Sequence, residues 1–525
     1  MDIPTQAEVC IIGAGAAGGI MAWELARRGI RVVVLESGPR HDLARRFDYM
    51  RRFLKGENPW RTPLRELDLY TTGGGVSYRL DENRVRGVGG SLLYWEGYTY
   101  RFHANDFRLR SLYHLAEDWP ISYDDLEPYY AKAEMALGVA GVADDPWASR
   151  RSASFPLPAF ALSYSDRLFA RACKTLGITL HRLPQARNSV AYDGRPRCRA
   201  YSTCHVCPIG AKASADLTHI PRAQATGNAH VLADMTTLRL ELGQGHHVHT
   251  AVYAGHDRRE RRLAARVFVL AAGAVETSRL LLLSASKGFP QGLANRSGTV
   301  GKYFTSHPSI DVTGRVKDRV YPYRVGFSTA MTRQFAVERD RAKKGSFVLE
   351  FLNRAGLRPA EIALSSGTWG AELRERVAQE FGHTLGIRVY CEQLPDRENA
   401  ITLNPEVKDY FGNPVPHITY NVGQYEREAL EEARQVSAKI LQVAGAADIQ
   451  AGQLRLAAHQ IGTHRMGPDP RASVVDANLR AHDVPNLYLV GSGSFVTASS
   501  SPPTLTIVAL AIRAAEHIAA RLRAG

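Results

Sequence analysis

The segment CIIGAGAAGG at residues 10–19, followed by VVVLES at residues 32–37, constrains this chain more than any other feature. Residues 9–12 predict a short apolar strand, residues 20–28 an amphipathic helix, and residues 32–35 a second strand ending at Glu36. Between strand and helix, Gly13, Gly15 and Gly18 form a G-x-G-x-x-G turn. Gly13 allows the tight turn, Gly15 lets a pyrophosphate approach the backbone, and Gly18 lets the helix pack closely on the strand. Free N–H groups at the helix start bind phosphate. Glu36 stands 23 residues beyond Gly13, where a carboxylate accepts hydrogen bonds from ribose hydroxyls. The glycines alone are a weak signal. Strand, glycines, helix, strand and acid in register predict a unit that holds a dinucleotide.

A second glycine-rich loop, RGVGGS at residues 86–91, contains Gly89, Gly90 and Ser91. It is placed to pass close to an extended ligand, and residues 92–95 add an apolar, aromatic wall. VFVLAA at residues 267–272 predicts a further strand of the parallel sheet. The helix after it carries Glu276 and Arg279, which read equally well as an ordinary helix cap and surface pair. Two glycine loops along one extended ligand point to FAD rather than NAD. Near the other end, HQIGTHRMG at residues 459–467 precedes GSGSFVTASSSPPTLTI at residues 491–507. An imidazole there, beside a turn that feeds the last helix, has a pKa suited to proton removal near neutral pH. On residue chemistry alone, His459 reads as a base or as a structural histidine, and His464 is an alternative base.

At 525 residues the chain is long enough for two domains and a large core. Its net charge of +14 is spread along the sequence and names no partner by itself. No nucleic-acid module is visible. Residues 1–8 lack the charged and apolar regions of a signal peptide. The leucines at 280–283 fall far short of the roughly 18 apolar residues of a spanning helix, so no transmembrane segment is expected. Six cysteines in so long a chain do not make a disulfide framework. Cys10, Cys173 and Cys391 read as buried thiols. Cys198, Cys204 and Cys207, with Pro208 behind the last, have the spacing C-x5-C-x2-C-P. Proline directly after a ligating cysteine is a ferredoxin-like feature. Three ligands suit a three-iron cluster better than structural zinc, which takes four. Zinc, free thiols or one disulfide remain alternatives.

The chain resembles the glucose–methanol–choline (GMC) oxidoreductases, FAD enzymes that oxidise alcohols. The resemblance rests on the first dinucleotide motif, VGGSLLYW at 88–95, AAGAVETSRLL at 271–281 and GTHRMGPDP at 462–470. It continues through SVVDANLRAHDVPNLYLVGSGSF at 473–495 and PPTLTIVALAIRAAEHI at 502–518. DFRLRSLYHLAEDWPISYDDLEPYY at 106–130 and the cysteine segment are most similar to the large subunit of bacterial sugar and polyol dehydrogenases.

This resemblance implies a doubly wound α/β FAD-binding domain and a second, α+β substrate domain built on an antiparallel sheet. The FAD domain is expected over 1–307, with a cysteine-bearing insertion at about 150–215, and again over 451–525. The substrate domain is expected over 308–450. A strand is predicted at 384–394 and a long amphipathic helix at 425–443. Gly13, Gly15, Gly18, Glu36, Gly89, Gly90, Ser91, Gly493 and Thr504 are expected to hold FAD. His459 matches the family's base, with His464 as the alternative. Where the family carries an Asn or His before the last helix, this chain has Pro502, which has no side-chain donor. Ser500, Ser501, His464 or His307 is then the expected replacement. The cysteine segment implies a [3Fe-4S] cluster on Cys198, Cys204 and Cys207. The expected reaction is oxidation of a CH–OH group in a sugar, glycoside or polyol, with electrons leaving through the cluster. An oxidase making hydrogen peroxide is the alternative, and Pro502 also leaves room for an inactive, flavin-bearing subunit. Expected partners are a small export-assisting subunit and a cytochrome c subunit, giving a periplasmic or membrane-associated enzyme. A cytoplasmic enzyme is the alternative.

Overall fold

The computed structural model describes residues 4–62 and 64–524. Of the opening residues read for a signal peptide, 1–3 lie outside the described ones. The first layer is a seven-stranded sheet. Its parallel core runs Ala229–Leu232, Val32–Leu35, Gln6–Ile12, Glu260–Leu270 and Leu487–Leu489. Val32–Leu35 and Leu487–Leu489 are continuous apolar runs and Gln6–Ile12 ends in one, as expected where helices cover both faces. The strand expected at 267–272 begins much earlier, at Glu260. Its charged first half pairs antiparallel with Val248–Ala254, and its apolar second half joins the parallel core. The helix Ala16–Ala26 follows the glycine turn, and the last helix, Thr504–Ala524, packs beside it. Cys10 is buried in the first strand.

The second layer is an antiparallel sheet ordered Ala447–Ala451, Pro308–Arg315, Thr384–Cys391, Phe347–Leu352, Ser328–Thr332 and His181–Arg182. Its back face is covered by Gln424–Val443, one residue longer than expected, and by Tyr164–Thr175. Leu349, Phe351 and Ile387 meet Phe169, Ala433 and Ile440 there. The helix Tyr164–Thr175 and the strand His181–Arg182 both come from the cysteine-bearing stretch, and both join this layer rather than the nucleotide sheet. Strand Arg455–Leu456 also pairs with Pro308–Arg315. Two helices, Pro359–Ser366 and Gly370–Glu380, leave the sheet as an excursion that carries the exposed Trp369. No helix among the described residues is long and apolar enough to cross a membrane.

Candidate active site

One cavity of about 960 Å³ runs between the two layers. Gly13, Gly15, Glu36, Gly90 and Ser91 line one end, and Tyr390, Arg388 and His459 line the other. Pro502, Pro503 and Thr504 form part of the same wall. Segments far apart in sequence therefore enclose a single elongated space.

The nucleotide end is built from backbone contacts. Gly13 adopts φ +103°, and a Cβ there would stand 2.5 Å from the carbonyl oxygen of Ala271. A Cβ on Gly18 would overlap the Gly13 carbonyl, so this glycine is required for the close helix–strand contact. The two glycine loops meet: a Cβ on Gly90 would come within 2.7 Å of Gly15 Cα. Gly15 precedes the helix Ala16–Ala26 with no side-chain cap, leaving the first amides free for phosphate. Gly89 donates its N–H to Ala14 O at 3.0 Å and sits off the cavity wall. The Glu36 carboxylate accepts N–H bonds from Ala14 (2.8 Å), Gly38 (2.9 Å) and Gly87 (3.2 Å). Burial pushes its pKa up, and these bonds together with Arg86 act against that shift. Glu276 and Arg279 are no surface pair. Both line the cavity, and Glu276 also binds Arg84 and Arg86.

The chemical end is set by a strand-like pairing. Thr305 and Ile461 exchange N–H bonds of 2.9 and 3.0 Å, and Ala457 N donates to His307 O at 3.0 Å. That register brings His307 against His459, with their Nδ1 atoms 2.8 Å apart. His307 Nε2 lies 2.9 Å from the carbonyl oxygen of Ser499. A carbonyl only accepts, so His307 Nε2 carries a proton. The neutral ring then has a bare Nδ1 and accepts from His459 Nδ1–H. His459 Nε2 is left with a lone pair, and no described protein group bonds to it. Burial keeps both rings neutral. It lowers His459 well below the usual range, with His307 adding to the effect, and lowers His307 to about 4.

Several expected residues lie elsewhere. His464 is buried off the cavity wall, its ring against Gly493. A Cβ on Gly493 would fall 1.9 Å from His464 Cε1, so this glycine admits an imidazole and does not line the cavity. Ser500 and Ser501 are buried and also off the wall. Both His307 nitrogens are already used. None of these four side chains lines the cavity beside Pro502.

The opposite wall was not legible in the sequence. Arg388 and Tyr390 point to one face of Thr384–Cys391 because they are two residues apart. An arginine inside an otherwise apolar strand was the one signal available. Arg388 binds Asp311 through two bonds of 2.7 and 2.8 Å across the strand pair. Glu96 accepts from Arg354 at 2.6 Å and lies 3.2 Å from His205 Nε2. Burial raises the Glu96 pKa, but Arg354, His205 and Arg388 outweigh it and hold the carboxyl well below its usual range. Tyr390 stands 5.6 Å from the His459 ring between centroids. Its hydroxyl has no protein partner among the described residues. Burial pushes its pKa up, so it stays a donor.

The cysteine segment abuts this cavity, because His205 is part of the wall. His205 stacks on Tyr94 at 4.0 Å and turns toward Glu96. All six cysteines are free thiols, which removes the disulfide alternative. Cys204 is buried, and Cys198 and Cys207 are half-buried. Peptide N–H groups of Ala200 and Lys212 lie 3.4 Å from the sulfurs of Cys198 and Cys207. Among the described residues, no three His, Cys, Asp or Glu side chains form a group that could hold a metal ion.

Sequence comparison agrees with this geometry. Residues 83–309 and 395–511 match GMC oxidoreductase models, and residues 8–144 match an FAD dependent oxidoreductase model. The chain is 32% identical to the fructose dehydrogenase large subunit of Gluconobacter japonicus over 99% of both chains. It is 29% identical to 2-methyl-1,2-propanediol dehydrogenase of Mycolicibacterium austroafricanum, covering 98% of this chain and 96% of the relative. Among solved structures, a formate oxidase of Aspergillus oryzae superposes with a TM-score of 0.69 at 17% identity over the whole of both chains. The chain belongs to the GMC oxidoreductase family and is an FAD-dependent oxidoreductase.

Proposed function

We propose that this enzyme oxidises a CH–OH group of a sugar, glycoside or polyol and passes the electrons to an external acceptor. The observation that carries the reading is the His307–His459 pair, with His459 on the wall of the cavity that begins at the glycine turn and His307 buried behind it. FAD, when bound, supplies the hydride acceptor. Gly13, Gly15, Glu36, Gly90 and Ser91 hold its nucleotide end. Thr504, the first residue of the helix Thr504–Ala524, lines the cavity, and the positive end of that helix would favour negative charge on the ring. His459 Nε2 takes the hydroxyl proton of the substrate. His307 holds the tautomer that makes this possible. The Tyr390 hydroxyl donates to the substrate oxygen and takes the part left open by Pro502. Arg388, Arg354, Glu96 and Asp311 give a polar wall suited to a polyhydroxylated substrate.

The electron exit in this proposal is a [3Fe-4S] cluster on Cys198, Cys204 and Cys207. The free thiols and the two peptide donors beside their sulfurs fit such a group. A cluster gives each thiolate its own iron, so the sulfurs need not converge as they do on one ion. It would accept electrons one at a time and favours a dehydrogenase over an oxidase. A cytochrome c subunit and a small export-assisting subunit are the proposed partners, with a periplasmic or membrane-associated location through them. Similarity to a protein named as a large subunit supports such an assembly. An oxidase is the second reading, favoured by 29% identity to 6'''-hydroxyparomomycin C oxidase of Streptomyces lividus over 98% of this chain.

Anaerobic titration of the iron-replete protein with sugars and polyols tests both parts. Bleaching of flavin absorbance by a polyhydroxy alcohol is expected, and no bleaching by any member of the panel would overturn the reaction. Peroxide formation at the rate of substrate oxidation, with no added acceptor, would favour the oxidase.

A further inference from the structure

We propose that Arg187, Arg195 and Lys212 form a buried triad of cations whose counter-charge is a metal–sulfur cluster ligated by Cys198, Cys204 and Cys207. The inference rests on the cluster reading above and adds the residues that tune it. The three cations are 2%, 6% and 2% exposed. None has a carboxylate within 4.0 Å among the described residues, although a buried charge normally has a partner of opposite sign. Asp216, near enough to act on Lys212 through space, is already bound to Arg46.

Their hydrogen-bond partners are peptide carbonyls and one cysteine sulfur. Arg187 donates to Val325 O at 2.7 Å, lies over the Phe160 ring, and directs Nη1 to Cys198 Sγ at 3.6 Å. Arg195 reaches only the carbonyls of Ala211 and Leu137. Nε of both arginines is buried without any partner. Lys212 Nζ donates to the carbonyls of Leu92, Leu93 and Trp95, while its own N–H meets Cys207 Sγ. The backbone also makes room for the triad. Gly326 adopts φ +104°, and a Cβ there would stand 2.4 Å from Arg187 Nη1.

Three thiolates and the sulfides of the cluster outweigh the iron charge, so the group is an anion. Reduction of such a cluster would add one electron, supplied by reduced flavin, and would break no bond. Buried cations stabilise the product of that step more than its reactant, because charges interact strongly out of water. The triad therefore makes the cluster easier to reduce and holds it more firmly. Lys212 also joins the two centres, since Leu92 and Trp95 line the flavin cavity.

The test uses full-length protein from iron-replete culture, with FAD content as the check on folding. Iron and sulfide are assayed, and the cluster midpoint is read by EPR-monitored titration, for Arg187→Met, Arg187→Lys, Arg195→Met and Lys212→Met. Each neutral variant should lower the equilibrium constant for reduction at least tenfold, about 59 mV for one electron. Arg187→Lys should stay within threefold of the parent. Neutral variants that keep FAD but lose iron, while Arg187→Lys keeps it, would also support the triad. Full iron content with midpoints unmoved in all three neutral variants would overturn the triad alone. A parent protein without iron and sulfide would overturn the cluster and the triad together.

Discussion

The Nδ1 atoms of His307 and His459, 152 residues apart in sequence, share one proton across 2.8 Å. Because Ser499 O accepts from His307 Nε2–H, the pair has one neutral arrangement, with His459 Nδ1–H donating to His307 and His459 Nε2 bare toward the cavity. Replacing His459 with Ala should leave FAD bound and slow anaerobic flavin reduction by roughly 10²–10⁴-fold. His307→Leu keeps the base but frees its tautomer, so a smaller loss, about tenfold, is expected in the same stopped-flow measurement. Equal rates in parent and His459→Ala would end the assignment of the base.

Gly493 and His464 predict a stability coupling. Gly493→Ala would force the buried His464 ring aside and should destabilise the protein by about 1–3 kcal/mol, the usual cost of overpacking. His464→Ala removes the obstacle. The double variant should therefore be more stable than the sum of the two single losses, by at least about 1 kcal/mol. Urea unfolding of the four proteins in the cycle, with FAD present, measures this. Strict additivity would mean that the ring yields without cost.

The nucleotide end was legible in the sequence because its logic is local. Strand, glycines, helix and acid lie within about thirty residues, and each has a steric reason that sequence displays. The strand Val32–Leu35 and the helix Gln424–Val443 lie almost where hydrophobic pattern puts them. Glu260–Leu270 was half hidden, because its paired but charged first half reads as solvated loop. The far wall of the active site was not legible. Glu96, Arg354 and Arg388 meet through pairings between strands and loops, and no spacing rule links them. The glycine of Gly493 was visible, but its reason lies in His464, a contact that only tertiary packing creates.

Burial of neutral histidines predicts acid sensitivity. Burial lowers His307 to about 4, and His219 and His464 to about 3, from an unfolded value near 6.5. Below pH 6.5 the unfolded chain takes up protons that these folded rings refuse. Their contribution is complete above pH 6.5 and is lost as pH falls toward 4. Glu350, which burial and the nearby Glu96 push up to about 7, acts in the opposite sense in this window, as do the raised carboxyls of Glu36, Asp166 and Glu426, while His205, lowered to about 4, and His459 act with the three rings. Net stability should fall by several kcal/mol between pH 6.5 and 4.5, at ~1.4 kcal/mol per unit for each ring. Urea midpoints that stay level across that range would contradict this account.

Tyr390 offers the most direct test of how the site manages with proline at position 502. Its hydroxyl lines the cavity beside His459, keeps its proton, and bonds to no protein group among the described residues. As the substrate hydroxyl loses its proton, the oxygen gains charge, and a fixed donor becomes worth more than it was to the neutral alcohol. Tyr390→Phe removes that donor while leaving the ring and the strand intact. The maximal rate of flavin reduction should fall on the order of 10²-fold, with little change in substrate affinity. Rapid-mixing kinetics over a range of substrate concentrations separates the two quantities. A loss confined to affinity would make Tyr390 a simple binding contact and leave the developing alkoxide to be stabilised by the cavity arginines.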